Sequence, residues 1–135
     1  MNYHREMRTA SCSCEQLKVT CAGDPIRVSM CHCLACQRRT GSAFALTARW
    51  PADLVTIEGS AHEYVRRGDE GSHATFRFCA TCGATVYFTN DMMPGMIAVP
   101  VGAFADPTFP PPQVAVYSVR RHPWLETISE IEELH

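Results

Sequence analysis

Residues 74–83 read Ala74-Thr75-Phe76-Arg77-Phe78-Cys79-Ala80-Thr81-Cys82-Gly83. Ala74, Phe76 and Phe78 alternate with Thr75 and Arg77, the period of two expected of a half-buried strand. The strand runs into two cysteines three positions apart, a spacing that lets both sulfurs face one metal ion from a tight turn. Gly83 then tolerates a positive φ, which lets backbone N–H groups turn toward the sulfurs. A strand that delivers half of a tetrahedral thiolate site is the first inference. The other half must come from elsewhere.

The chain has eight cysteines in 135 residues, in three tight groups with Cys21 alone. The other groups are Cys12-Ser13-Cys14 and Cys31-His32-Cys33-Leu34-Ala35-Cys36. Close-set thiols are how a chain builds metal coordination, and disulfides would need an oxidising compartment. The start, Met1 to Ala10, has no apolar core of a signal peptide, and no later run approaches a membrane span. The expectation is a soluble cytoplasmic protein with metal-bound thiols. Cys12 and Cys14 are the obvious partners for Cys79 and Cys82, giving a closed four-thiolate zinc site whose role is folding. The reading of each pair as buried small hydrophobes ranks below it.

Cys31, Cys33 and Cys36 are three thiols within six residues. Three protein ligands and an open position are the arithmetic of catalytic zinc, whereas four are that of structural zinc. An open ion can bind a thiol as thiolate or polarise a carbonyl oxygen. His32 as a fourth ligand ranks lower because it sits between two ligands. A Cys33/Cys36 redox pair also ranks lower, lacking a βαβ context. Cys21, in phase with Leu17 and Val19, reads as a core thiol, with a fourth-ligand role as the weaker alternative.

Apolar and β-branched runs suggest strands at Leu17–Thr20, Ile26–Met30, Ala43–Trp50, Leu54–Glu58, Ala61–Arg66, Ala74–Phe78, Thr85–Thr89, Ile97–Val101 and Val114–Val119. Turn residues separate them, among them Gly23-Asp24-Pro25, Arg67-Gly68-Asp69-Glu70-Gly71 and Asp106-Pro107. Residues 33–41 have room for one helical turn, and Trp124–His135 reads as an acidic tail, helical or irregular. With no repeat or linker, one mainly antiparallel β domain with irregular zinc-binding loops is expected. A formal charge of −2 and a pI near 6.3 provide no basic field for nucleic acid or an anionic membrane.

The ordered pattern Cys12-x-Cys14, Cys31-His32-Cys33-x-x-Cys36-Gln37-Arg38-Arg39-Thr40-Gly41-Ser42-Ala43-Phe44, Phe78-Cys79-x-x-Cys82-Gly83 resembles the GFA family. That family is named for the glutathione-dependent formaldehyde-activating enzyme and includes the centromere protein V type of domain. Pro123-Trp124-Leu125 is similar to its C-terminal element. The resemblance implies a Mss4-like β fold over residues 8–128, followed by an acidic tail at 129–135. It implies structural zinc on Cys12, Cys14, Cys79 and Cys82, and a second, catalytic zinc on Cys31, Cys33 and Cys36. The implied activity is that of a carbon–sulfur lyase joining glutathione to formaldehyde. Many members carry a histidine ahead of the Pro-Trp element, where this chain reads Val114-Ala115-Val116-Tyr117, so the thiol partner need not be glutathione itself.

Arg38 and Arg39 follow the second cluster, where they could offset thiolate charge or clamp a substrate carboxylate; the alternative is a solvated surface pair. Thr40, Gly41 and Ser42 could bring hydroxyl or N–H groups to the same place, while Phe44 reads as core. His62, His73 and His122 have no ligand-like spacing. Two other function classes stay open: a non-catalytic zinc module for a protein partner, and a thiol redox sensor.

Overall fold

The structure, a computed structural model, describes residues 6–68, 71–125 and 132–134. In chain order its strands are β1 (Met7–Ser11), β2 (Lys18–Ala22), β3 (Arg27–Cys31), β4 (Ala45–Pro51), β5 (Val55–Glu58), β6 (His62–Arg67), β7 (His73–Phe78), β8 (Thr85–Asn90), β9 (Met96–Pro100), β10 (Val114–Val116) and β11 (Glu132–Leu134). One helix, α1 (Leu34–Thr40), joins β3 to β4. The strands form a three-stranded sheet, β1-β2-β5, and an eight-stranded sheet, β11-β10-β3-β4-β9-β8-β7-β6. No helix among the described residues is long and apolar enough to cross a membrane.

The two sheets share one core. Ala10, Val19 and Cys21 of the small sheet meet Val28, Ala48, Trp50, Val86 and Val99 of the large one, all fully buried. Trp50 anchors it: the ring packs on Phe104 at 5.6 Å, and its Nε1–H donates to the Gly23 carbonyl at 3.1 Å. That bond satisfies the polar atom of a side chain whose burial contributes about 1.5–3 kcal/mol or more. Val28 pairs with Ala48, and Ala48 with Val99, so one register row of the large sheet faces the small sheet. The alternate residues of the same strands face the other way, where Ala74, Phe76, Phe88 and Ala98 form a second, smaller cluster.

Each expected strand has a counterpart, with some ends moved. Leu54 falls in a 3-10 turn before β5, and Val114–Val119 shortens to β10. Tyr117 takes a left-handed φ of 56° and opens a 3-10 turn over Ser118–Arg120, which leaves Val119 exposed. β1 was not expected, because Met7-Arg8-Thr9-Ala10-Ser11 carries no branched apolar run; pairing with β2 supplies its order. The ladders are antiparallel except where β10 runs parallel to both β3 and β11. Within the expected helical or irregular tail, Glu132–Leu134 is instead a strand, held by backbone pairing to β10 rather than by propensity. Residues 126–131 and 135 of that tail, and Asp69 and Glu70 of the expected turn, lie outside the described residues.

Candidate metal centres

Cys12 follows β1 and Cys79 follows β7, so their loops meet where the two sheets join. The loops repeat one hydrogen-bond scheme. Cys12 N–H donates to Leu17 O and Cys79 N–H to Ala84 O, each five residues on and each at 3.0 Å. Glu15 (φ 68°) and Gly83 (φ 82°) take the left-handed backbone these tight loops require. The sulfurs of Cys12, Cys14, Cys79 and Cys82 converge within 4.8 Å of one another. Cys14 Sγ lies 3.6 Å from both Cys12 Sγ and Cys79 Sγ. Sulfurs about 2.3 Å from one tetrahedral ion stand about 3.8 Å apart, whereas a disulfide needs about 2.05 Å. All eight cysteines are free. The donor set fits a tetrahedral metal ion.

Donors are already aimed at this site. Gln16 Nε2 donates to Cys79 Sγ at 3.0 Å, and Leu17 N–H to Cys12 Sγ at 3.3 Å. The Gln16 amide, with the N–H groups of Cys82 and Thr81, holds the Cys79 thiol down at about 5. Backbone N–H groups of Ala84 and Cys14 lower Cys82. Cys14 rises to about 11: the Gln16 N–H pulls it down, but Cys79, burial and the other sulfurs outweigh that bond. Gln16 carries no ligand signature in sequence, and its place beside the sulfurs comes from the fold.

The second centre is built on α1. Cys31 ends β3, Cys33 is the N-cap residue of α1, and Cys36 lies one turn on, with its N–H donating to Cys33 Sγ at 3.3 Å. The cap bond satisfies one orphan N–H of the helix and fixes the Cys33 sulfur at its start. The three sulfurs lie within 4.8 Å of one another, and no further His, Cys, Asp or Glu among the described residues joins them. Donation from Cys31 and then Cys36, the Cys36 N–H and the charge of Arg66 hold Cys33 far below the usual thiol range, against its burial. Cys31 is raised by its bonds to Cys33 and Cys36 and by burial. Cys36 is also raised, since Cys33 and burial outweigh the lowering bond to Cys31.

His32 points away from this group. It is buried, its ring lies 6.2 Å from that of Phe44, and burial, then Arg121, lowers its pKa. Thr40 Oγ donates to Cys36 O at 2.9 Å, and Gly41, at φ 68°, closes the helix with its N–H on Gln37 O at 2.8 Å. Arg38 is exposed, whereas Arg39 lies over Phe76 and Phe88 at 4.9 and 5.1 Å. Cys21 belongs to the core, where burial pushes its thiol to about 12. Gln37 has a role not read from sequence: its amide N–H groups donate to His32 O and Arg120 O, and its carbonyl accepts from His122 Nε2 at 2.8 Å. It clamps residues 120–122 against the start of α1. Shallow hollows of about 500 Å3 beside Cys12 and about 400 Å3 along Met93–Ile97 lie elsewhere; the three cysteines of the second centre are half-buried.

The chain resembles a solved fold. A crystal structure of a Rhodobacter sphaeroides protein, a structural-genomics target, superposes with a TM-score of 0.56 at 20% identity, covering 70% of this chain and 85% of that one. At that identity the likeness is one of fold. No curated protein sequence matches the chain. Residues 7–120 match the family described as glutathione-dependent formaldehyde-activating enzyme, a span that takes in both sulfur groups and all strands from β1 to β10. The chain belongs to this family, GFA.

Proposed function

We propose that the protein is a zinc-dependent carbon–sulfur lyase acting on the adduct of a small aldehyde with a glutathione-like thiol. The observation that carries this reading is the three-sulfur group with no fourth described ligand, in a chain of the GFA family. All-thiolate donor sets favour zinc over harder ions. Cys12, Cys14, Cys79 and Cys82 would hold a structural ion, and Cys31, Cys33 and Cys36 a second one. Zinc at the second centre would supply an open position in which an incoming thiol loses its proton more easily.

The chain's own groups complete the chemistry. Three thiolates on a divalent ion leave one negative charge, which guanidiniums beside the centre offset: Arg66 acts on Cys33, and Arg39 on Cys36. In the synthetic direction the substrate sulfur bonds to the carbonyl carbon, the C=O π pair moves to oxygen, and the proton lost from the thiol ends there. The lyase direction breaks the same S–C bond, with no net oxidation. A reducing cytoplasm suits eight free thiols.

Zinc counting on freshly purified protein tests the partition. Wild type should carry two ions per chain. Cys33→Ser should carry one, keep its far-UV circular dichroism, and lose catalysed formation of the glutathione–formaldehyde adduct followed by 13C NMR. One ion in both proteins would sink the reading of the second centre.

A further inference from the structure

The face of the large sheet turned away from the core carries an unusual set of charges. Cα pairings place Arg27, Arg49, Ala98, Phe88, Phe76 and Tyr64 in a single row across six strands. Arg27 and Arg49 are direct cross-strand neighbours, both half-buried. Like charges directly opposite one another destabilise a sheet. Arg49 Nη1 donates to the buried Ser29 hydroxyl at 3.0 Å, while Arg27 Nε is buried with no acceptor. Arg39 reaches over the row from α1, its guanidinium above Phe88 and Phe76 and its buried Nε also without an acceptor. Arg66 lies 5.1 Å from the Phe76 ring.

None of these four arginines forms an ion pair among the described residues. The acidic residue that the register brings to this face is Glu132, in the row of Val114 and Ser29, and it makes no ion pair with Arg27. The single net charge of three thiolates on a divalent ion cannot balance four guanidiniums. Two buried Nε–H groups with no acceptor and a cross-strand arginine pair call for an acceptor that the described residues do not supply.

We propose that Arg27 and Arg49, with Arg39 above Phe88, bind the oxyanion of a small molecule, a carboxylate or a phosphate, and that the thiol handled at Cys31, Cys33 and Cys36 carries this group. The second half of the proposal rests on the function proposed above and narrows its substrate class to anionic thiols. Cys31 lies four residues along the same face of β3 from Arg27, about 13 Å between Cα atoms, and the arginine side chain shortens that span. Arg49 is held by its bond to Ser29, which lies on β3 midway between Arg27 and Cys31.

The test uses the full chain as purified with its zinc. The unfolding midpoint is followed while sodium phosphate or sodium succinate replaces sodium chloride at constant ionic strength. Either probe should raise the midpoint saturably; succinate alone would identify a carboxylate site, phosphate alone a phosphate site. Arg27→Gln should weaken that binding about tenfold or more by the usual strength of a charged hydrogen bond. The same change should raise the midpoint in chloride, because it relieves the arginine pair; a merely structural arginine would give only a loss. Arg49→Lys, which keeps the charge, should also weaken binding, whereas Arg67→Gln, exposed on the opposite face of β6, should not. No saturable shift in wild type, or equal shifts in wild type and Arg27→Gln, would overturn the site. The thiol is read separately, from adduct formation with 3-mercaptopropionate against 2-mercaptoethanol. Equal rates would remove the anionic-thiol half and leave the lyase standing. Oxyanion binding without adduct formation from either thiol or from glutathione would overturn the lyase reading and leave the site standing.

Discussion

Cys79→Ser should leave the protein largely unfolded at 25 °C, with its cooperative urea transition lost and its far-UV circular dichroism that of a disordered chain. Cys79 follows β7 in the large sheet and Cys12 follows β1 in the small one, so an ion on these sulfurs staples the two sheets together. Structural zinc contributes about 10–16 kcal/mol of apparent binding free energy, as much as or more than the about 5–15 kcal/mol by which domains are stable. A serine hydroxyl is a poor zinc ligand, and in metal-free protein it loses the thiolate that Gln16 and the Cys82 N–H support. Chelation of wild type by excess EDTA should produce the same collapse. Cys21→Ser separates the metal from burial as such. Cys21 is as buried as Cys79 and lies in the same core cluster, but it joins neither sulfur group. Its hydroxyl should cost about 1–3 kcal/mol and leave the chain folded. If Cys79→Ser keeps a cooperative transition with a similar small loss, the core around Trp50 closes the sheets without the ion.

What sequence could and could not reveal follows from the range of each signal. Ligand pairs are local: Cys12-x-Cys14 and Cys79-x-x-Cys82 show chelation through spacing alone, and donor counting joins them across 65 residues. Alternation marked the strands whose faces differ, as in β7 and β8. β1 and β11 escaped because a short polar strand has no such contrast and exists only through its neighbour's backbone. The parallel seating of β10 against β3 is likewise a matter of topology, not of composition. The same limit hid the arginine row. Arg27 shares the phase of Cys31 on β3, a signal present in the sequence, but its pairing with Arg49 and their alignment with Phe88 and Phe76 need the register of four ladders. In sequence the Arg-Arg step after Cys36 reads as one unit, either offsetting thiolate charge or clamping a carboxylate, or else as a solvated surface pair. The helix instead splits it, with Arg38 in solvent and Arg39 over the aromatic pair.

Gly59→Ala should destabilise the protein by about 3.5–8 kcal/mol, although the residue is exposed and touches no metal. Gly59 has a φ of 97°, a conformation that costs an alanine about 1–2 kcal/mol. A Cβ there would overlap the Gln16 carbonyl oxygen and stand 2.8 Å from its carbon and 2.9 Å from Leu17 Cα. These are backbone atoms of the Cys12 loop, so no rotamer change relieves the clash, and forced displacement adds about 1–3 kcal/mol. The displacement also strikes a clip. Gln16 accepts from the Ser60 N–H at 3.0 Å, donates to Ser60 O at 2.8 Å and donates to Cys79 Sγ at 3.0 Å. Losing a hydrogen bond to a charged sulfur accounts for about 1.5–3 kcal/mol more. The variant should therefore surrender zinc from the four-sulfur centre to a chromogenic chelator faster than wild type, a readout that a simple loss of loop order would not move. Gly83→Ala supplies the contrast. Its φ of 82° is equally left-handed, but a Cβ there meets nothing within 4 Å, so it should cost only about 1–2 kcal/mol. Equal losses for the two alanines, with unchanged zinc release, would reduce Gly59 to a conformational requirement and remove the Gln16 clip from the account of how the first centre is held.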